Sequence, residues 1–364
     1  MTYKSRVRNW YPNNPPLYDI AKTYLENAEQ GPFFMEKLPE RVFPAQAKWM
    51  DFLGMRIASP LGVPAGPLLT ANWVKLAASL GFDVVTYKTI RSRSHPAHPL
   101  PNMIYVDIQG SRALAAAGSP QNIEALAVTN SFGMPSMSPA FLQEDIARAN
   151  SYLKPGQVMI VSVVGTERPE MNFLQDFVET ALLAKDAGAK IIEANFSCPN
   201  VAKKEGGLYM SPQSVMEIGR ALVKAVHPIP LILKMGIFSS HEQMREVLTA
   251  AASCGARGVC GINTVSMAVK DQNGEAALGP SRMTSGICGG PIRMDALKFL
   301  EQARKILNRE KLDLALLGCG GITKEEHFDQ FFSAGAEIAM SATGMMWDPY
   351  LALRYHQRKE DAKS

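Results

Sequence analysis

The fold is decided by the stretch from Ile191 to Asn200, which reads IIEANFSCPN. Its first residues are apolar and β-branched, as in a buried strand, and the run then changes abruptly to amides, a hydroxyl, a thiol and a proline. In barrels of parallel strands, ligands bind where the strands end. The stretch therefore predicts a buried strand whose carboxyl end carries the chemistry.

Seven further short apolar runs alternate with helix-length amphipathic segments, which is typical of repeated βα units. A doubly wound sheet would give similar local signals, but eight units favour a (β/α)8 TIM barrel of the α/β class. Ser211-Pro212 predicts the start of one helix, and Thr323 with Glu326 predicts a capping box at another. The predicted strands are Leu61–Ala65, Val84–Thr89, Val158–Val164, Ile191–Phe196, Leu231–Met235, Gly258–Asn263, Leu314–Gly318 and Ile338–Thr343.

Three segments stand outside the repeat, and we predict a single domain over residues 1–364 that includes them. Residues 1–55 form an N-terminal extension, residues 91–138 an insertion over the barrel mouth, and residues 199–211 a lid loop at the active site. Apolar residues from Leu17 to Ala28 recur at helical spacing. We expect this helix to pack on the barrel bottom or on another subunit, with a membrane or quinone contact as the alternative.

The composition indicates a globular protein with a large core. Hydrophobic residues make up 46% and charged residues 20%, and a net charge of +4 without a Lys/Arg run gives no nucleic-acid-binding tail. We expect no signal peptide, because residues 1–12 are polar, and no membrane span, because no apolar run is long enough. Without Cys-x-x-Cys pairs, we predict no metal site and a reducing, cytoplasmic location. The five cysteines are at positions 198, 254, 260, 288 and 319.

Polar residues at the predicted strand ends suggest an acid–base site that binds a cyclic amide or imide. Asn195 and Asn200 can pair with both edges of such a ring, and the Cys198 thiol can act as a base if it is slightly activated. Lys88 and Lys234 close two apolar strands, where a lysine is costly to bury unless it faces an anion.

Further amides and glycines complete the predicted site. Asn130 lies in Asn-Ser-Phe-Gly-Met-Pro, and Asn263-Thr264 ends the sixth strand, so both amides reach the same barrel mouth. Glycines after the sixth to eighth strands predict a phosphate cradle, since backbone N–H groups approach a phosphate closely only where side chains are absent. The cradle residues are Gly289, Gly290, Gly320, Gly321 and Thr343.

The motif from Asn195 to Asn200 resembles the active-site signature of dihydroorotate dehydrogenases, and the resemblance extends from about Pro60 to Pro349. Its cysteine is similar to that of the soluble class 1 enzymes. The resemblance implies that the cofactor is FMN, that the substrate is the pyrimidine dihydroorotate, and that Cys198 removes its C5 proton. It implies a pyrimidine site at Lys88, Asn130, Gly133, Met134, Asn195, Asn200, Asn263 and Thr264. The implied FMN site is Ala65, Gly66, Lys88, Thr89, Asn195, Lys234, Gly289, Gly290, Gly320, Gly321 and Thr343. A homodimer is also implied.

Some features depart from that family. Asn102 stands where the family commonly has Arg, and residues 263–293 look closer to the FMN domain of dihydropyrimidine dehydrogenases. Another dihydropyrimidine is therefore the alternative substrate. A tRNA dihydrouridine synthase would need a basic RNA-binding domain, and a non-catalytic barrel would be colourless when purified. The sequence leaves the electron acceptor open between fumarate, a quinone, and NAD through a partner subunit.

Overall fold

The computed structural model describes residues 7–38, 41–197 and 207–362. Cys198, Asn200 and most of the predicted lid lie outside the described residues. Within them the strands are β1 (Met50–Phe52), β2 (Met55–Ile57), β3 (Leu61–Val63), β4 (Val84–Ile90), β5 (Met103–Gln109), β6 (Arg112–Ala115), β7 (Ala127–Asn130), β8 (Val158–Val163), β9 (Ile191–Asn195), β10 (Leu231–Lys234), β11 (Gly258–Gly261), β12 (Val265–Lys270), β13 (Thr284–Gly289), β14 (Ala315–Cys319) and β15 (Ile338–Met340).

The helices alternate with these strands over most of the chain. In the described part of the chain they are α1 (Tyr24–Gln30), α2 (Ala71–Ser79), α3 (Pro139–Ser151), α4 (Phe173–Asp186), α5 (Pro212–Val226), α6 (His241–Ser253), α7 (Arg293–Glu310), α8 (Glu325–Ser333), α9 (Thr343–Trp347) and α10 (Leu351–Asp361). Short 3₁₀ turns lie at Gln46–Lys48, Leu208–Met210 and Gly290–Ile292.

Eight parallel strands close into a barrel in the order β3-β4-β8-β9-β10-β11-β14-β15. The predicted TIM barrel is therefore confirmed, and each strand begins within one residue of its predicted start. The order follows the chain because each βα unit places its strand beside the preceding one. All eight carboxyl ends consequently meet at one mouth.

The barrel interior is apolar at its bottom and polar toward this mouth. Ile160, Ile191 and Ile232 are fully buried in the lower layer. The antiparallel β1–β2 hairpin closes the bottom, where Phe52 and Ile57 pack against the same cluster. Buried aliphatic side chains contribute about 1.5–3 kcal/mol each, so this plug stabilises the closed end.

The segment from Leu17 to Ala28 lies at the opposite end, at the mouth, so the prediction that this helix packs on the barrel bottom is wrong. Leu17 N–H donates to the Met346 carbonyl at 2.9 Å, and the Tyr18 ring packs on Phe132 with centroids 5.7 Å apart. The predicted helix is also too long. It begins only at Tyr24, because the Thr23 hydroxyl caps it and the Glu26 carboxylate accepts from the Thr23 N–H.

The insertion forms a second, small barrel together with two strands, β12 and β13, that were not predicted from the sequence. Strands β5, β6 and β7 of the insertion combine with β12 and β13, which follow β11 of the main barrel. Antiparallel pairing of β7 with β13 joins the two segments. The small barrel thus depends on pairing between residues far apart in the chain.

Helix starts were predicted with mixed success. The Ser211 hydroxyl caps α5 by accepting from Ser214 N–H, as predicted. The Thr323–Glu326 capping box is wrong, because His327 Nδ1 accepts from the Thr323 and Lys324 N–H groups at 3.1 and 3.2 Å instead. Of the helices in the described ranges, none combines the length and the apolar character needed to cross a membrane.

Candidate functional site

A cavity of about 960 Å³, including the space open at its mouth, lies at the carboxyl ends of the barrel strands. The small barrel covers it through Met103 and Val128. The predicted site residues in its wall are Ala65, Gly66, Lys88, Thr89, Asn130, Gly133, Met134, Asn195, Lys234, Asn263, Thr264 and Thr343.

Strand register places the first group of these residues side by side. Asn195 on β9 is paired with Lys234 on β10. Asn263 Nδ2 then donates to Asn195 Oδ1 and to Ser197 Oγ, both at 3.2 Å, while its Oδ1 accepts from Thr264 N–H at 2.9 Å. The network fixes the orientation of both amides before a ligand arrives.

The turn at Gly133–Met134 has a left-handed backbone, with φ of 76° and 51°. A Cβ at Gly133 would lie 2.6 Å from His98 Nε2, so only glycine fits there. Buried Arg91 holds the turn from behind, since its Nε donates to the Met134 carbonyl at 2.9 Å. The predicted carboxylate-binding backbone therefore stands on a rigid support.

Lys234 and Lys88 are 4% and 7% exposed, so both are buried at the cavity floor. Lys234 Nζ contacts the sulfur atoms of Cys319 at 3.0 Å and Cys260 at 3.4 Å. Burial lowers the pKa of Lys234, but the interactions with Cys260, Cys319 and Glu193 raise it well above its ordinary value. Lys234 is thus an ammonium facing the cavity.

The predicted phosphate cradle is only partly in the cavity wall. Thr343 lines the cavity, whereas Gly289, Gly290, Gly320 and Gly321 are not among its lining residues. A Cβ at Gly290 would lie 1.9 Å from the Glu124 carbonyl oxygen, and one at Gly321 would lie 2.6 Å from Arg293 Cβ. Close packing against the chain itself therefore requires these glycines, and their phosphate role stays a prediction.

Four lining residues with polar groups were not predicted from the sequence: Tyr18, Glu193, Cys288 and Trp347. Glu193 could have been found, because it lies two residues before Asn195 on one strand and so shares its face. Cys288 on β13 and Tyr18 in the extension gave no local signal. Both reach the cavity only through long-range packing.

The cavity offers the mix of surfaces that an isoalloxazine ring needs. Its walls are mostly apolar, and buried polar atoms face it without a hydrogen-bond partner among the described residues: Tyr18 Oη and both Glu193 carboxylate oxygens. A flat ring with donors and acceptors along its edges could satisfy such atoms. In the described ranges, no group of three or more His, Cys, Asp or Glu side chains could hold a metal ion.

Comparison with known proteins indicates the family of the chain. A family model described as dihydroorotate dehydrogenase, a family that depends on FMN, matches residues 49–357. The dihydroorotate dehydrogenase of Dictyostelium discoideum is 48% identical over 96% of this chain and 99% of its own length. The PreA subunit of the NAD-dependent dihydropyrimidine dehydrogenase of Escherichia coli K12 is 32% identical over 53% of this chain and 46% of that protein. A dihydroorotate dehydrogenase A (fumarate) of Limosilactobacillus reuteri is 30% identical over 54% of this chain and 59% of that protein.

Proposed function

Because this chain belongs to the dihydroorotate dehydrogenase family, we propose that it catalyses the FMN-dependent oxidation of dihydroorotate to orotate in pyrimidine biosynthesis. One observation carries the proposal beyond family membership. Two buried lysines and three amides, which are Lys88, Lys234, Asn130, Asn195 and Asn263, line a single cavity. Dihydroorotate carries a carboxylate and a cyclic ureide, which are the groups that lysines and amides bind.

The residues that would hold FMN are those predicted from the resemblance. Ala65, Gly66 and Thr89 line the cavity beside Lys88 and Asn195. Lys234 would oppose negative charge on the ring, and Thr343 with Gly289, Gly290, Gly320 and Gly321 would hold the phosphate. When bound, FMN supplies the acceptor for the hydride that leaves C6 of the substrate.

The chain itself would bind the substrate and move its proton. Lys88 and the Gly133–Met134 backbone would bind the carboxylate, and Asn130, Asn195, Asn200, Asn263 and Thr264 would hold the ring. Cys198, as the thiolate, would remove the C5 proton. Preorganised amides help because they need no reorientation during the reaction.

A second candidate substrate is a dihydropyrimidine without a carboxylate, such as dihydrouracil. The observation in its favour is the similarity to the PreA subunit. Anaerobic addition of each compound to the purified yellow protein separates the two. We expect dihydroorotate to bleach the visible flavin absorbance and dihydrouracil to leave it. Bleaching by dihydrouracil alone would transfer the assignment to that compound, and colourless protein that cannot be loaded with FMN would refute both.

The remaining assignments concern organisation in the cell. We propose a cytoplasmic homodimer whose single domain spans residues 1–364, with residues 199–211 closing over the substrate. Light scattering would then give twice the chain mass of 39.7 kDa. Protection of residues 199–211 from proteolysis by orotate would support the lid.

A further inference from the structure

A buried cluster of two thiols, one ammonium and one carboxylate lies at the floor of the cavity. Lys234 Nζ is 3.0 Å from Cys319 Sγ, and the Cys319 and Cys260 sulfurs are 3.9 Å apart. All four side chains, Glu193 included, are at most 4% exposed. The catalytic proposal uses Lys234 alone, so the other three groups have no assigned role.

A buried ammonium is costly unless a counter-charge lies close to it. The titratable groups that face Cys319 are Lys234 from β10, Cys260 from β11 and Glu193 from β9. Strand β15 contributes the Met340 thioether, which has no charge, and Lys88 on β4 lines the same cavity. Lys234 Nζ contacts both sulfur atoms but lies closer to Cys319 Sγ, at 3.0 Å, than to Cys260 Sγ, at 3.4 Å, which makes Cys319 the stronger anionic candidate.

Cys319 has a partner ready for each of its protonation states. As a thiol it donates to the Ile262 carbonyl oxygen at 3.0 Å, and as a thiolate it accepts from Lys234 Nζ at the same distance. A hydrogen bond from Cys260 lowers the pKa of Cys319, burial raises it, and the charge and hydrogen bond of Lys234 lower it again, to about 7. Cys260, whose pKa is raised well above its ordinary value, stays a thiol and a donor.

We propose that Cys319 is a positioning residue that holds the Lys234 ammonium as its thiolate counter-ion and takes up one proton from solvent when negative charge enters the cavity. Proton uptake converts the thiolate to a thiol, which donates a hydrogen bond to the Ile262 carbonyl oxygen. The Lys234 ammonium then pairs with the negative charge of the ligand. No bond other than S–H forms. The inference rests on the proposed function only in that the ligand gaining charge is the flavin.

The test compares the pH dependence of the flavin midpoint potential in native protein, Cys319→Ser and the matched control Cys260→Ser. Serine keeps a hydroxyl that can donate to Ile262 but does not ionise. Charge on the flavin raises the pKa of Cys319, so reduction takes up an extra proton between about pH 7 and that raised value. In this pH range we expect the midpoint potentials of native protein and Cys260→Ser to fall by an additional amount of about 30 mV per pH unit. This slope corresponds to a tenfold change per pH unit in the equilibrium constant of the two-electron reduction. Cys319→Ser should lack this additional slope.

Equal slopes in native protein and Cys319→Ser would overturn the proposal. An ultraviolet titration of the thiolate in flavin-free protein gives a second reading that needs neither flavin nor dihydroorotate. We expect one ionisation near neutrality that Cys319→Ser lacks, and its absence from native protein would also overturn the proposal. If dihydroorotate fails to reduce the protein while both the potential and the ultraviolet titration give the expected results, only the proposed function is refuted.

Discussion

The floor of the cavity is made of barrel strand ends, whereas its roof comes from the N-terminal extension and the small barrel. Floor residues such as Lys88, Asn195 and Lys234 are polar and joined to a rigid, closed sheet. Roof residues such as Tyr18 and Phe132 are aromatic and pack on one another with ring centroids 5.7 Å apart. From this comparison we infer that the chemistry belongs to the floor, while the roof shapes the cavity.

The largest effect is expected at the centre of the floor. Lys234→Met removes the ammonium beneath the cavity and leaves Glu193 without a nearby positive partner. Losing one preorganised charge of this kind costs about 100- to 1000-fold in rate, so we expect flavin reduction by dihydroorotate to slow by that factor in stopped-flow experiments. Exposed Lys224→Met is the control and should react like native protein. A native rate of flavin reduction in Lys234→Met would refute the assignment of the chemistry to the floor.

Asn263→Ala tests the amide network at the edge of the floor. The change leaves Asn195 Oδ1 and Ser197 Oγ without their shared donor. Each lost hydrogen bond contributes about 1 kcal/mol, so we expect kcat/KM to fall by about 10- to 100-fold. Asn273→Ala, at an exposed loop position, should leave kcat/KM unchanged. Equal values for the two variants would show that the network does not bind the substrate.

Arg91→Lys tests the Gly133–Met134 turn at the border between floor and roof. Lysine cannot reproduce the planar group that donates to the Met134 and Gly133 carbonyls. The turn would lose its support, and we expect KM for dihydroorotate to rise by about tenfold with a smaller change in kcat. The matched control is Arg93→Lys, because Arg93 is exposed and pairs with Glu179. A fall in kcat at constant KM would refute a role confined to carboxylate binding.

The smallest catalytic effect is expected in the roof. Tyr18→Phe removes a buried hydroxyl that has no partner among the described residues, so the rate of flavin reduction should change by less than about threefold. Tyr18→Ala should instead lower the free energy of unfolding by about 3–5 kcal/mol, since it leaves a cavity among aromatic rings. Denaturant unfolding of both variants checks this contrast. A large loss of rate in Tyr18→Phe would show that the roof also takes part in the chemistry.

The same division explains what the sequence could predict. Strand ends of a parallel barrel must meet at one mouth, so Lys88, Asn195, Lys234 and Asn263 could be assigned to one cavity from local patterns alone. Tyr18 and Cys288 could not be assigned, because their positions follow from packing and pairing between distant segments. Long-range pairing of β7 with β13 is one such case.

One local prediction failed for a physical reason that can be named, and another stays a prediction. The helix expected from Leu17 to Ala28 begins late, because the Thr23–Glu26 capping box is stronger than the apolar periodicity before it. The glycines at 289, 290, 320 and 321 were interpreted only as a phosphate cradle, but Gly290 and Gly321 also allow close approach of the chain segments at Glu124 and Arg293. Glycine patterns alone do not separate these two uses.

The most direct test of the central claim compares two cysteines, Cys198 and Cys288. Cys198 follows β9 and is the proposed base, whereas Cys288 lines the cavity from β13 in the roof. Burial raises the pKa of Cys288, which disfavours the thiolate that a base requires, although contacts with Thr343 and Asn130 partly oppose this.

The measurement is the rate of anaerobic flavin reduction by dihydroorotate in Cys198→Ala and Cys288→Ala. Removing a general base costs about 100- to 10,000-fold, so we expect Cys198→Ala to lose that much while still binding orotate, and Cys288→Ala to stay near the native rate. The reverse result, with Cys288→Ala inactive and Cys198→Ala reduced normally, would contradict the assignment of the chemistry to the barrel strand ends.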